Sequence, residues 1–318
     1  MIYSGILQSS TDMMLSPSGK NHPLADAGFP DLCYFATDII HTFSPGASMR
    51  YTAFFVGEFL GTFILVFFGC GSVAVTVLFS AHTGLFQIAL LWGLSVTLAI
   101  YATRHLSCAH LNPAVSIAMV IGNRMVLRKL PVYICAQLSG AFLAASVLYL
   151  LFSASIAQYE LSNAIVRGSA ESIQTAMIFG EFYPNPGSGN NVVVSMTTAA
   201  LAEAIGTFAL VFFIFAITEG CNLGRPNDIL APIFIGLALA VIISIIAPLT
   251  QAGLNPARDF GPRMFAFLAG WGRAALPDDN YGFLVVYILA PVSGGGMASL
   301  FFTRFLEPLM VKKSCRCA

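Results

Sequence analysis

Six stretches of about 20 mainly apolar residues, the length a helix needs to cross a bilayer, run through this 318-residue chain. They lie near Thr52–Phe79, Leu85–Thr103, Pro131–Phe152, Met196–Thr218, Ile229–Leu249 and Phe283–Thr303. Lipid offers no hydrogen bonds, so a spanning segment must satisfy its own backbone, which a helix does. Composition agrees, with 57% hydrophobic and only 9% charged residues, against about 25% charged in a soluble domain. The pattern predicts an all-α membrane protein with six transmembrane helices. The formal net charge is zero, which gives nucleic acid no purchase.

Two more segments, Asn112–Ile121 and Asn255–Leu268, are apolar and helix-like but too short to span. Segments of this length are buried or re-entrant helices.

The chain repeats itself. Glu58-Phe-Leu-Gly-Thr-Phe-Ile-Leu-Val-Phe-Phe68 matches Glu203-Ala-Ile-Gly-Thr-Phe-Ala-Leu-Val-Phe-Phe213, and Leu111-Asn-Pro-Ala114 matches Leu254-Asn-Pro-Ala257. Val132-Tyr-Ile134 with Ser139-Gly140 likewise matches Val286-Tyr-Ile288 with Ser293-Gly294. Each half holds three spans, an odd number, so the second half starts on the opposite side of the membrane. The result is an inverted three-plus-three repeat. Its two short helices enter from opposite faces, as half-helices that meet near mid-membrane. Non-helical backbone at that depth is tolerable only inside protein or along a wet cavity. Gly57, Gly61, Gly140, Gly206, Gly236 and Gly294 would let helices approach closely.

The expected layout is an N-terminal tail over 1–50 and a channel domain over 51–304, followed by a C-terminal tail over 305–318. Within the channel, repeat one covers about 51–152 and repeat two about 196–304, with an outer loop over 153–195. The first tail lacks the basic-then-apolar pattern of a signal peptide and reads as largely disordered, with one short helix around Phe35–Phe43. Basic residues favour the cytoplasmic side. Only Arg167, Arg258, Arg263 and Arg273 fall on one side, leaving eleven of the 15 Lys and Arg on the other. Both termini are therefore expected in the cytoplasm. Glu160, Glu171 and Glu181 fall in the outer loop. The seven Cys show no zinc spacing, and Cys70 and Cys135 read as small buried hydrophobes. No metal or cofactor is implied.

Asn is a favoured helix N-cap and Pro a favoured first helical residue. Asn112-Pro113-Ala114 and Asn255-Pro256-Ala257 therefore start helices cleanly. One such triplet could be an ordinary helix start. Two at matching repeat positions set two positive helix ends nose to nose, with Asn amide donors available to a passing oxygen.

The flanks Ser107-Cys-Ala-His-Leu-Asn-Pro-Ala-Val115 and Gly253-Leu-Asn-Pro-Ala-Arg-Asp-Phe-Gly-Pro262 resemble the two signature loops of the aquaporin, or major intrinsic protein, family. The resemblance covers about Tyr51 to Thr303. It implies an aquaporin-like fold, a homotetramer with one pore per subunit, and a field that repels cations and protons, as in aquaporin-type pores generally. Asp259, Arg263 and Phe152 resemble the glycerol-facilitator branch, whereas Tyr287-Ile288 depart from its usual Pro-Leu pair.

Carried over by position, the family's outer selectivity filter falls on Trp92, Ile243, Ala252 and Arg258. Trp92 and Arg258 match the facilitator, where Ile243 and Ala252 replace a small residue and a Phe. A polyol suits this set: Arg258 can bond two neighbouring hydroxyls, while Trp92 and Ile243 face the carbon backbone. The alternative for Trp92 is an interfacial anchor; for Arg258 it is a snorkelling surface residue.

Glu58 and Glu203 lie inside spans, where a carboxylate is costly and functional. They read either as braces for the re-entrant loops or as proton carriers of a secondary transporter. His110 reads as a loop brace or a pore-edge group.

The resulting expectation is a passive channel for small neutral solutes (glycerol, water and, in a broader reading, urea) in the plasma membrane. A water-selective or urea and metalloid channel is the runner-up, and a proton-coupled transporter is more distant. An enzyme is not expected, because no nucleophile–base set or phosphate loop occurs.

Overall fold

The computed structural model describes residues 45–189, 192–276 and 281–314. The expected helix around Phe35–Phe43 lies outside the described residues. Among those described, all regular structure is helical. Six helices among the described residues are long and apolar enough to cross a membrane. We label the principal helices α1 (Pro45–Phe79), α2 (Leu85–Thr103), α3 (Pro113–Ile121), α4 (Leu130–Ser162), α5 (Met196–Thr218), α6 (Ala231–Thr250) and α7 (Pro256–Ala266). The last span, α8, covers Gly282–Met310.

Helices α3 and α7 are the two half-helices, of 9 and 11 residues. At 1.5 Å per residue each reaches only about 14–16 Å, roughly half the hydrocarbon layer. Asn112 and Asn255 are their N-caps, in extended backbone, and Pro113 and Pro256 take the first helical position.

Several boundaries differ from expectation. Helix α4 runs ten residues beyond Phe152 to Ser162, into the segment assigned to the outer loop. Ser153–Ser162 contains no Gly or Pro, and Glu160 near its end is buried against Arg167. Nothing in that stretch breaks the helix, and an ion pair secures its end. Helix α1 includes Pro45–Arg50, inside the segment read as tail, and helical structure after α8 includes residues up to Ser314. Cys70 is buried as expected, but Cys135 is exposed on α4.

The packing repeats with the sequence. Helix α1 packs on α2 and α4, and α5 packs on α6 and α8. The halves join where α2 crosses α6, and each half-helix rests mainly on the last span of the other repeat: α3 on α8, α7 on α4. Glycines permit these crossings. Gly93 and Gly236 face each other across α2 and α6, and a Cβ on either would overlap the other's carbonyl oxygen. A Cβ on Gly140 would overlap the Phe59 carbonyl oxygen, and one on Gly294 that of Ala204. The same close approach thus serves α1–α4 and α5–α8.

Backbone cannot yield as a side-chain tip can, so a methyl at Gly140 forces the helices apart. Overpacking of this kind costs about 1–3 kcal/mol. Gly140→Ala should lower the melting temperature of the detergent-solubilised protein by several degrees. Gly220→Ala, where a Cβ meets nothing within 4 Å, should leave it unchanged. Equal melting temperatures for the two variants would refute the packing argument.

Candidate functional site

The two half-helices meet through their caps. Asn112 Nδ2 donates to the Leu254 carbonyl oxygen at 2.9 Å, and Asn255 Nδ2 donates to that of Leu111 at 2.7 Å. Each amide thus bonds the residue just before the other triplet. The oxygens turn inward as caps: Asn112 Oδ1 accepts from Ala114 N at 2.8 Å, and Asn255 Oδ1 from Ala257 N and Arg258 N at 3.0 and 3.2 Å. An Asn amide has two N–H donors, and the hydrogen bonds above use one of each.

The loops entering the triplets hold unusual backbone. Ala109, Leu111, Gln251, Ala252 and Leu254 all have φ between 49° and 62°, a left-handed conformation that costs non-glycine residues of order 1–3 kcal/mol each. Such strain persists only where the surroundings over-determine it, and two buried carboxylates do so here. Glu58 accepts from His110 N (2.9 Å) and Leu111 N (2.7 Å), and also from Ser107 Oγ and Gln137 Nε2 (both 2.8 Å). Glu203 accepts from Gly253 N (2.9 Å), Leu254 N (2.6 Å) and Thr250 Oγ1 (2.6 Å). Both side chains are fully buried. Each carboxylate reaches the N–H of the leucine before its own triplet. His110 also places its ring 5.0 Å from that of Tyr133, with Nδ1 3.2 Å from Ser116 Oγ.

On the outer-loop side of the triplets, the guanidinium of Arg258 lies over the Trp92 ring, 3.9 Å from its centroid. Both residues are buried, so Trp92 is not an interfacial anchor and Arg258 does not snorkel. A Cβ on Gly69 would overlap the Trp92 indole, so α1 leaves this ring its space. Ile243 and Ala252 belong to the same buried apolar cluster as Trp92. Of the four positions carried over from the family pattern, Arg258 and Trp92 are in direct contact.

Asp259 and Arg263, one helical turn apart on α7, form a fully buried ion pair at 2.5 and 3.0 Å. Arg263 also donates to the carbonyl oxygens of Ala275 and Glu181, both at 2.5 Å. Tyr287 is fully buried, donates its hydroxyl to the Thr250 carbonyl at 3.1 Å and packs behind Gly253. Ile288 beside it is half-buried, and both sit in a π-helical turn, Val285–Leu289. Phe152 lies within α4 rather than at its end, packs on Phe79 and borders the apolar cluster that contains Trp92.

Sequence reading missed Glu181. It falls in the outer loop, yet it is buried and ion-paired with Arg258. Its flanks, Ile178-Phe-Gly and Phe182-Tyr, are apolar. That is unusual for an exposed loop and was the available sign that the segment folds inward.

These features can be set beside known proteins. Residues 47–302 match the Major intrinsic protein family. The glycerol uptake facilitator protein of Pseudomonas aeruginosa is 44% identical over 240 residues, which are 75% of this chain and 83% of that protein. The propanediol uptake facilitator of Citrobacter freundii is 38% identical over 262 residues, 82% of this chain and 94% of its own. The aquaglyceroporin of Plasmodium falciparum superposes with a TM-score of 0.70 at 31% identity, covering 82% of this chain and 99% of its own. With the family match spanning most of its length, the chain belongs to the major intrinsic protein family.

Proposed function

We propose that this protein is a passive channel through which glycerol and related small neutral solutes, water among them, cross the plasma membrane. The observation that carries the reading is the reciprocal cap: Asn112 and Asn255 each bond the other's loop and keep a second N–H for a passing oxygen. Two helix N-termini converge there, so a cation meets positive ends. The relatives named as facilitators of glycerol and propanediol uptake support a short polyol as cargo.

In this reading Arg258 donates to solute hydroxyls while Trp92, Ile243 and Ala252 line the carbon side. An apolar wall deprives water of hydrogen bonds without replacing them, whereas a polyol can set its C–H face there. Glu58, Glu203 and His110 hold the loops. Asp259 and Arg263 secure the outer loop, and Tyr287 with Ile288 supports the approach to the second triplet. The working unit is a homotetramer in the bilayer, with 51–304 as the channel and both termini cytoplasmic. Urea is a second candidate solute. No enzymatic step and no cofactor enter the mechanism.

Liposomes carrying the protein should shrink in hyperosmotic glycerol and then re-swell faster than empty vesicles, by stopped-flow light scattering. Re-swelling no faster than in empty vesicles would overturn the proposal. The transporter reading predicts instead a flux that follows an imposed pH gradient; the channel predicts none.

Ala252→Phe probes the wall. The ring would narrow the passage, so polyols larger than glycerol should lose permeability by about tenfold, the scale on which apolar pockets discriminate size, with water less affected. Unchanged rates for every solute would remove Ala252 from the wall.

A further inference from the structure

We infer that the Glu181 carboxylate is a specificity-determining acceptor beside Arg258. It takes an O–H or N–H from a neutral solute whose own acceptor is held by that arginine. This deepens the channel reading and rests on it.

Three observations lead here. First, Glu181 is only 2% exposed, and one oxygen, Oε1, pairs with Arg258. Second, its other oxygen, Oε2, is buried without a hydrogen-bond partner. Both carboxylate oxygens of Glu58, Glu203 and Asp259 do have partners. A buried acceptor left unsatisfied is costly, more so when charged, and a donor that arrives with a solute removes the cost.

Third, the backbone at Glu181 is fixed from both sides. Its N–H donates to Asp259 Oδ1 at 2.9 Å, and its carbonyl accepts from Arg263 Nη2 at 2.5 Å. The next N–H, of Phe182, donates to Gln251 Oε1 at 2.8 Å. Gly180 completes the seat, since a Cβ there would come within 3.0 Å of the Arg263 guanidinium carbon. The loop is therefore held so that this carboxylate stays at Arg258.

The chemistry follows from what stands together. Arg258 supplies N–H donors only, Glu181 Oε2 is an acceptor only, and Trp92 offers an apolar face. The fitting solute is small and uncharged, with a donor next to an acceptor: a vicinal diol, or a small amide such as urea. The ion pair also cancels the charge of Arg258, so neither anions nor cations meet an uncompensated group beside the solute.

The test uses the full chain in liposomes, with glycerol, urea and water permeabilities measured on the same preparations. Glu181→Gln keeps the size, and its amide oxygen can still accept from Arg258. The unpartnered acceptor, however, becomes an N–H₂ donor. Urea, whose N–H groups donate but cannot accept, should lose permeability about tenfold relative to water, equivalent to about 1.4 kcal/mol. Water and the glycerol hydroxyls can turn from donor to acceptor, so their permeabilities should change less than that of urea. Glu181→Asp keeps the charge but withdraws it by one methylene, and should give a smaller fall in the same ratio. It is also the deciding variant if Glu181→Gln does not fold. An unchanged urea-to-water ratio, or an equal loss for water and urea, would overturn the inference alone. Wild-type vesicles that pass neither glycerol nor urea would overturn the channel reading and this inference together.

Discussion

A re-entrant loop brings amide N–H groups to mid-membrane depth, where neither water nor lipid can accept from them. Glu58 and Glu203 resolve this for the two loops. Each is a fully buried carboxylate that collects backbone donors from the residues just ahead of a triplet. Charged acceptors make stronger hydrogen bonds than neutral ones, which offsets both the burial of the charge and the left-handed backbone. With the loops fixed, the half-helices can begin at Asn112 and Asn255, and the asparagines can reach across to Leu254 and Leu111. Without that fixation the caps would have no defined partner.

The duplicated sequence makes the arrangement self-consistent. One carboxylate per repeat, one half-helix per repeat and one glycine crossing per repeat give two equivalent halves, closed at Gly93 and Gly236. Because α3 rests on α8 and α7 on α4, neither half-helix is supported by its own repeat alone. Folding of one half therefore depends on the other, and a disturbance at Gly140 reaches α7 through α4.

Much of this could be read in the sequence. Lipid-length apolar runs fixed the spans, since hydrogen bonding leaves a chain in lipid few choices. The Asn-Pro pairs located both half-helix starts to the residue, because capping chemistry is local. What escaped depended on contacts between distant segments. The continuation of α4 to Ser162 rests on Glu160 finding Arg167, and Cys135 faces outward despite its apolar neighbours. Glu181 was read with an outer loop because its burial depends on Asp259 and Arg263, about 80 residues away. Local pattern carries no record of such a pairing.

That pairing gives Asp259 and Arg263 a physical purpose. An Asp and an Arg one turn apart on a short helix could pair merely to neutralise each other. Here the pair is also a clamp: Asp259 takes the Glu181 N–H while Arg263 donates to the Glu181 carbonyl oxygen and, further along the chain, to that of Ala275. A surface ion pair would contribute little, but this one is fully buried and has its remaining hydrogen bonds met, the condition under which such pairs hold a geometry. The second half-helix thus carries both the residue proposed to greet the solute, Arg258, and the apparatus that brings a carboxylate to it. Tyr287 acts from the other side, filling the space behind Gly253 and bonding Thr250, so that the segment bearing Ala252 is backed by a rigid ring. Under the proposed channel function, solute choice depends on how α7 and α8 position two loops, as well as on the four side chains proposed to face the solute.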